Sequence, residues 1–538
     1  MVIVAMISQF IKQVFLRIRF KHLSWLAYCL FLLALLLNNS FSYLDPDFSW
    51  HIRVGQEIAF SGQPPSQNIY NYTYLGSWVD HEWLGDLLLF KVYDAFGYIG
   101  ASLMFAFLAL TVLVGLTIFT LKRRPAVSLP VLVVVQIFGL VAALPSLGVR
   151  LQEFGLLFLL ILLVIIDVYD RHRRWFFLAL LPPVFYLWAT IHASFILGLF
   201  LLSAWPALKL IEAWLVKTKL KSWFRIEGVI TKRWAAIYFC WSLAAFFATT
   251  VTPYRLELFS FLSGYRDNFY QMNILEWLPQ YIFPLNYAQL VFLALSLTVV
   301  GLHLRYNSKR GQIEIWQLFL VVLFFAMSWR AKRHFPLFFV ATFPYLVFMI
   351  SSLISLDNKT TKQPLRPWFG AYLLLPLILS GASLLLAANF NNTPFDSYCH
   401  NYPCGAAKYL EENRQHDRQN LFNIYDWGGY LIWRLPDRKL FIDGRLPQVS
   451  FSGKTFLEEY YDFFAEDSDK EKKLAQYDID LVLMRSTDKP LSIKNWEKKL
   501  FMINDADVAP NNHLRDYLKS ASWREVYRDN TAVIYERP

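Results

Sequence analysis

Residues 98–124 read YIGASLMFAFLALTVLVGLTIFTLKRR. The first 24 carry no charged side chain, and as a helix they would extend about 36 Å, enough to cross a bilayer. The run ends on Lys122-Arg123-Arg124, and basic residues collect at the cytoplasmic ends of membrane spans. The same pattern recurs outward from it. Lys12, Arg17, Arg19 and Lys21 precede the apolar run Leu23–Leu37, which sets the N-terminus inside; Asn38-Asn39-Ser40-Phe41 offers no cleavage site, so the run reads as a signal anchor. After Lys122–Arg124, Val127–Leu144 leads out and Phe154–Ile166 leads back to Arg171-His172-Arg173-Arg174. Phe176–Ala189 leads out, and Phe195–Leu215 returns to Lys217, Lys219 and Lys221. Trp234–Val251 leads out, and Ala288–Leu304 returns to Arg305, Lys309 and Arg310. Ile315–Met327, Phe335–Ile354 and Phe369–Ala388 complete the series. The expected fold is therefore a polytopic α-helical membrane protein of about eleven spans, N-terminus in and C-terminus out.

Composition agrees. The 538 residues are 56% hydrophobic and 17% charged, too few charges for a soluble enzyme of this size. Four cysteines exclude a disulfide scaffold. The net charge of +11 is unevenly spread: from Phe390 onward 21 basic residues face 24 acidic ones, so the excess belongs to the membrane part. Cytoplasmic loops account for it, without a nucleic-acid partner. The expected division is a membrane domain, 1–389, with an outer loop 41–97, and an extracytoplasmic α/β domain, 390–538. In that tail, strands are expected at Asn420–Tyr425, Lys439–Ile442 and Ile479–Met484, with a closing hairpin at Arg524–Tyr535.

Chemistry-bearing residues gather on the outer side. The first outer loop holds Asp45-Pro46-Asp47, His51 and Asp80-His81-Glu82-Trp83. Proline keeps Asp45 extended, which predicts both carboxylates on one face. Such a pair holds a divalent cation, Mg or Mn, or divides acid and base work. The structural alternatives are helix caps, Asp47 on Phe48–Phe60 and Asp80 on Glu82–Tyr93. His51, one turn beyond Asp47, either faces it or is a tethered interfacial residue, and His51, Asp80, His81 and Glu82 together make a candidate acceptor or metal site. Arg330, Lys332, Arg333 and His334 stand outside, against the charge bias of the other loops, and suit a phosphate or anionic headgroups. Arg150 and His192 are weaker candidates of the same kind. In the tail, Asp426-Trp427-Gly428-Gly429 joins a strand to a helix and Asp443-Gly444-Arg445 follows the next strand, where glycines permit either close backbone approach or ordinary turn chemistry. Cys399 and Cys404 are close enough in sequence for a small-loop disulfide.

This layout resembles the GT-C superfamily of membrane glycosyltransferases. The resemblance rests on Asp45–His51, Trp78–Leu84, Trp188–His192, Arg330–His334, Tyr425–Tyr430 and Asp443–Arg445, and is with an uncharacterised bacterial branch. Tyr425–Tyr430 is also similar to the Trp-Trp-Asp-Tyr-Gly motif of the oligosaccharyltransferase catalytic subunit, in a different order and with an extra glycine, so peptide-acceptor binding does not carry over. The resemblance implies a sugar donor on a polyprenyl phosphate or pyrophosphate and an inverting transfer at the outer face of a bacterial cell membrane. The acceptor would be a glycan, lipid or protein, and Asp45 or Asp47 the base. The competing classes are a transporter, a ligase or polymerase using the same donor on another scaffold, and a non-catalytic envelope glycan-binding protein. A transporter would carry repeats and ionisable residues near the midplane, whereas here the notable charges cluster on one side.

Thiol labelling of intact cells checks the orientation. A cysteine placed beside Arg123 should resist an impermeant reagent while one in the loop 41–97 reacts; labelling beside Arg123 from outside would overturn the scheme.

Overall fold

The computed structural model describes residues 23–218, 224–225, 231–307, 314–357, 379–386, 398–413, 419–451, 453–487, 493–501 and 512–538. Lys12, Arg17, Arg19, Lys21, Lys219, Lys221, Lys309, Arg310 and most of the expected last span lie outside them. Among the described residues, seven helices are long and apolar enough to cross a membrane: Leu23–Ser42, Trp83–Arg123, Leu129–Ser146, Gln152–His172, Phe195–Leu215, Tyr287–Tyr306 and Lys332–Ile354. Two shorter apolar helices, Trp175–Ile191 and Ile315–Arg330, accompany them, and Lys232–Thr249 is helical as well. Integral membrane character and a C-terminal sheet are thus both present.

Gly97 divides the 41-residue helix Trp83–Arg123 in two. Its φ of 65° and ψ of −164° belong to a region open to glycine alone. The N-terminal piece packs on the helix Phe48–Ser61, with Gly55 against the carbonyl of Asp86, where a Cβ would come within 2.1 Å. The rest of the long helix carries the chain to the far end of the bundle. There Arg123 pairs with Asp167 and Glu314, Arg124 with Glu314, and Lys209 with Asp170 (2.7 Å) and Glu212 (2.9 Å). The basic clusters after Leu121 and after Asp170 therefore lie at one end, and the loop 41–97, expected on the outer side, lies at the other.

The tail folds around a four-stranded mixed sheet. We label its strands β1 (Asn420–Asn423), β4 (Ile479–Arg485), β5 (Arg524–Arg528) and β6 (Ala532–Glu536), with β2 (Ser450–Phe451) and β3 (Lys454–Thr455) forming a separate hairpin. The order is β1-β4-β6-β5; β1 runs parallel to β4, and the other two pairings are antiparallel. The strand expected over Lys439–Ile442 is reduced to Leu440, which bridges Leu421 on one side and Asn71 of the first outer loop on the other. Its N–H donates to the Tyr70 carbonyl (2.8 Å), and its own carbonyl accepts from Tyr72 (3.2 Å). The neighbouring residues diverge because Asn423 takes the N–H of Phe441 (3.0 Å) onto its side chain. Loop and tail share one hydrophobic cluster, in which Phe41, Leu44, Phe48 and Trp50 are continuous with Leu421, Phe422, Trp427 and Phe441. Cys399 and Cys404 are disulfide-bonded, with Cα atoms 5.3 Å apart.

Candidate active site

Asp45 and Asp47 part company. Asp45 accepts the backbone N–H of Asp47 on Oδ1 (2.8 Å), and its Oδ2 pairs with the Arg150 guanidinium. That local bond closes a turn, and Asp47 sits at φ −84°, ψ −19°, helical rather than extended. Proline restrains itself and the residue before it but not the one after, so the expectation of two carboxylates on one face fails at Asp47. The capping alternative fails too: Asp47 occupies the N-cap position of Phe48–Ser61 without capping it. Its Oδ1 accepts instead from Trp50 Nε1 (2.9 Å). Asp47, not Asp45, lines a cavity of about 280 Å³. Burial pushes its pKa up to about 6, the charge of Asp45 adding to the effect.

Glu82 is the second carboxyl of this cavity. Three imidazoles surround it: His81 and His192 put Nε2 3.6 Å from Oε1, and His51 puts Nε2 3.8 Å from Oε2. His51 is turned from Asp47 by Asp86, which meets its Nδ1 at 2.6 Å. His192 has its tautomer set locally. Its Nδ1 accepts from the backbone N–H of Ser194 (3.1 Å), so the proton sits on Nε2 and faces Glu82. Burial lifts Glu82 to about 8 and lowers His81 to about 3. Asp80 stays behind them, buried, accepting from the Glu82 N–H (3.2 Å) rather than capping a helix. Burial raises its pKa well above the usual carboxylate range.

The expected phosphate site is smaller than the sequence suggests. Arg333 and His334 line the cavity; Arg333 lies 4.6 Å over the Trp277 ring and donates to Gln152 Oε1 (3.3 Å). Lys332 turns back to the carbonyls of Ile282 (2.6 Å) and Pro284 (2.9 Å). Arg330 is exposed and bonds Gln271 (2.9 Å). Arg150 is taken up by Asp45 and Glu276. These three cations have protein partners outside the cavity wall.

The tail completes the wall. Asp443 and Arg445 form a two-point pair, Nε to Oδ1 at 2.9 Å and a terminal nitrogen to Oδ2 at 2.8 Å, both fully buried. The guanidinium is held between the rings of Tyr70 (4.2 Å) and Trp78 (4.5 Å) of the first outer loop, and Arg445 lines the cavity. The glycines permit the approach: a Cβ on Gly429 would lie 2.5 Å from the Pro46 carbonyl, and one on Gly444 would lie 2.7 Å from Asp47 Oδ1. Gly428 meets Asp443 in the same way (2.6 Å to its Cα). Asp426 points outward to Arg485 (3.0 Å), and Trp427 is buried, donating to the Asn401 carbonyl (2.8 Å). Sequence reasoning passed over Tyr265, Tyr270 and Trp277, which line the cavity. The density of aromatic residues between Tyr254 and Tyr281 was the available signal.

Among the described residues no three His, Cys, Asp or Glu side chains converge in an arrangement that could hold a metal, and both Asp45 oxygens already have partners.

No family model matches the chain, and no curated protein matches it by sequence. Solved structures do. The archaeal oligosaccharyltransferase AglB from Archaeoglobus fulgidus, in complex with an inhibitory peptide and a dolichol-phosphate, superposes with a TM-score of 0.50 at 11% identity over 87% of this chain and 69% of that one. The A. fulgidus oligosaccharyltransferase tethered to an acceptor peptide with the NVT sequon gives a TM-score of 0.53 at 11% identity over the same shares. The chain shares the fold of these two structures. Within this fold the loop 41–97 and the tail meet over one cavity.

Gly444→Ala tests that contact. The added methyl must displace the Asp47 carboxylate, and if that carboxylate takes part in the reaction proposed below, an error of about 1 Å costs about 10²-fold in rate. A normal turnover rate with an unchanged melting temperature would show that the contact is not needed.

Proposed function

We propose that the chain is a membrane glycosyltransferase that moves a sugar from a polyprenyl-phosphate-linked donor to a nucleophile on a glycan, lipid or protein at the outer face of a bacterial cell membrane. The observation that carries the reading is the convergence of Asp47, Glu82, Arg333 and a wall of aromatic rings on one cavity beside the ends of the apolar helices. The GT-C fold, and the dolichol-phosphate and peptide bound by its structural neighbours, support the same reading.

Asp47 is the base. With its pKa near 6 it is ionised at neutral pH yet basic enough to take a proton. The acceptor O–H or N–H gives its proton to this carboxylate as the acceptor atom attacks the anomeric carbon. The bond from that carbon to the donor phosphate oxygen breaks, and the phosphate leaves with the electron pair. Attack opposite the leaving group inverts the anomeric centre. Arg333, with His334 beside it, meets the charge that develops on the phosphate. Glu82 keeps its proton at neutral pH, so two carboxyls of one cavity are set to opposite states. Trp50, Trp78 and Trp277 offer ring faces to the sugar. Asp45 acts indirectly, by fixing the turn that presents Asp47.

Asp47→Asn should lower transfer from a polyprenyl-phosphate-linked donor by about 10²–10⁴-fold, with donor binding retained. Near-normal transfer in the purified variant would overturn the assignment. The pH profile supplies a second check. The reactive form of Asp47 is the carboxylate, so kcat/KM should fall as pH drops through about 6; a flat profile down to pH near 4 would exclude Asp47 as base.

A further inference from the structure

The tail helix Asn495–Phe501 presents the wrong residues for water. Trp496, Leu500 and Phe501 are 49%, 64% and 47% exposed, while Glu497 is buried. A surface helix of a soluble domain turns its charges outward and its large apolar side chains inward. Here the acid points in, accepting a hydrogen bond from the Tyr287 hydroxyl. Lys494 and Lys499 flank the apolar face and are exposed.

The contacts of this helix identify its surroundings. Trp496 lies 5.4 Å from the ring of Tyr287, and Phe501 lies 5.2 Å from that of Phe283. Tyr287 is the first residue of the apolar helix Tyr287–Tyr306. Val291 and Leu295 follow it at four-residue steps, on the same face, and both are about half exposed (50% and 51%). In a membrane-spanning helix that exposed stripe is the surface that meets lipid. The exposed face of Asn495–Phe501 therefore continues a lipid-facing surface at its polar end. Tyr281 and Trp329, 61% and 41% exposed and 5.9 Å apart, stand at the same end of the neighbouring apolar helix Ile315–Arg330. Together these rings make the aromatic belt found at membrane interfaces.

We infer that Asn495–Phe501 is an interfacial anchor: it rests in the headgroup region of the bilayer, on the leaflet at the tail's side, with Trp496, Leu500 and Phe501 entering the acyl boundary. Lys494 and Lys499 reach the anionic headgroups above it. The anchor gives the tail a second hold beside its packing on the first outer loop. It limits the freedom of the domain that supplies Gly444 and Arg445 to the cavity.

The test uses the full chain with Cys29→Ser and Cys240→Ser, so that Leu500→Cys carries the only free thiol. The site is exposed, so a label there should not disturb folding. An environment-sensitive fluorophore is attached, and the protein is reconstituted into vesicles of phosphatidylethanolamine and phosphatidylglycerol. The anchor requires a blue-shifted emission, strong quenching by lipids spin-labelled near the headgroup end of the acyl chain, and protection from aqueous iodide. Quenching by iodide but not by the lipid label would put the helix in water and overturn the inference. Protection from both quenchers would overturn it as well, since protein rather than lipid would then cover the face.

Discussion

The backbone of Gly429 sits where no side chain can stand, against the carbonyl of Pro46. The junction of the loop 41–97 with the tail depends on that approach. The Asp45-Pro46-Asp47 turn is held from one side by Arg150 and from the other by the tail helix that begins at Gly428. Gly444 then closes on Asp47. A side chain at Gly429 would press on the Pro46 backbone and lift the tail from the loop, whereas one at Gly444 would displace the Asp47 carboxylate. The two glycine-containing motifs of the tail are thus spacing devices: by their absence of side chains they bring Arg445 and the Asp47 carboxylate to one cavity.

The energetics follow the same seam. Loop and tail bury a common apolar cluster, and the Asp443–Arg445 pair is enclosed between loop aromatics. A buried ion pair is a weak source of stability, because desolvation offsets its attraction, but breaking it leaves an uncompensated charge. Here Asn68 and Asn71 accept further hydrogen bonds from the same guanidinium (3.1 and 3.2 Å), which ties its orientation to the loop. The pair therefore sets the register between two parts of the chain more than 350 residues apart. At the opposite end of the bundle, Arg123, Asp167 and Glu314 join the ends of three separate helices. Both ends of the molecule are pinned by charge, and the apolar helices run between them.

Much of this was legible in the sequence, and for physical reasons. Spans declare themselves because lipid tolerates few charges, so the runs around Tyr98–Leu121 and Phe195–Leu215 need no tertiary information. The motifs at Asp47, Glu82, His192, Arg333 and Arg445 were each visible, and they do share a cavity. What the sequence could not apportion was the role of immediate neighbours. Asp45 and Asp47 differ because one of them finds Arg150, a hundred residues away, and Lys332 and Arg333 differ because one finds the carbonyls of Ile282 and Pro284. Such partners are decided by packing, not by local pattern. The strand expected over Lys439–Ile442 shrank for a similar reason: Asn423 claims its backbone donors. The aromatic wall of Tyr265, Tyr270 and Trp277 comes from short helices whose charges, among them Arg266, Asp267 and Glu276, are scattered in both signs and form no cluster.

The central claim is that one cavity, walled jointly by the first outer loop and the tail, receives a lipid-linked phosphate on Arg333 and faces it with Asp47. A cryo-electron-microscopy structure of the full chain with a bound polyprenyl phosphate measures this directly. The account predicts the phosphate within hydrogen-bonding distance of the Arg333 guanidinium, its oxygens turned toward the side of the cavity that Asp47 lines. Phosphate density at the exposed Arg330 or at Lys332, outside the cavity, would contradict it.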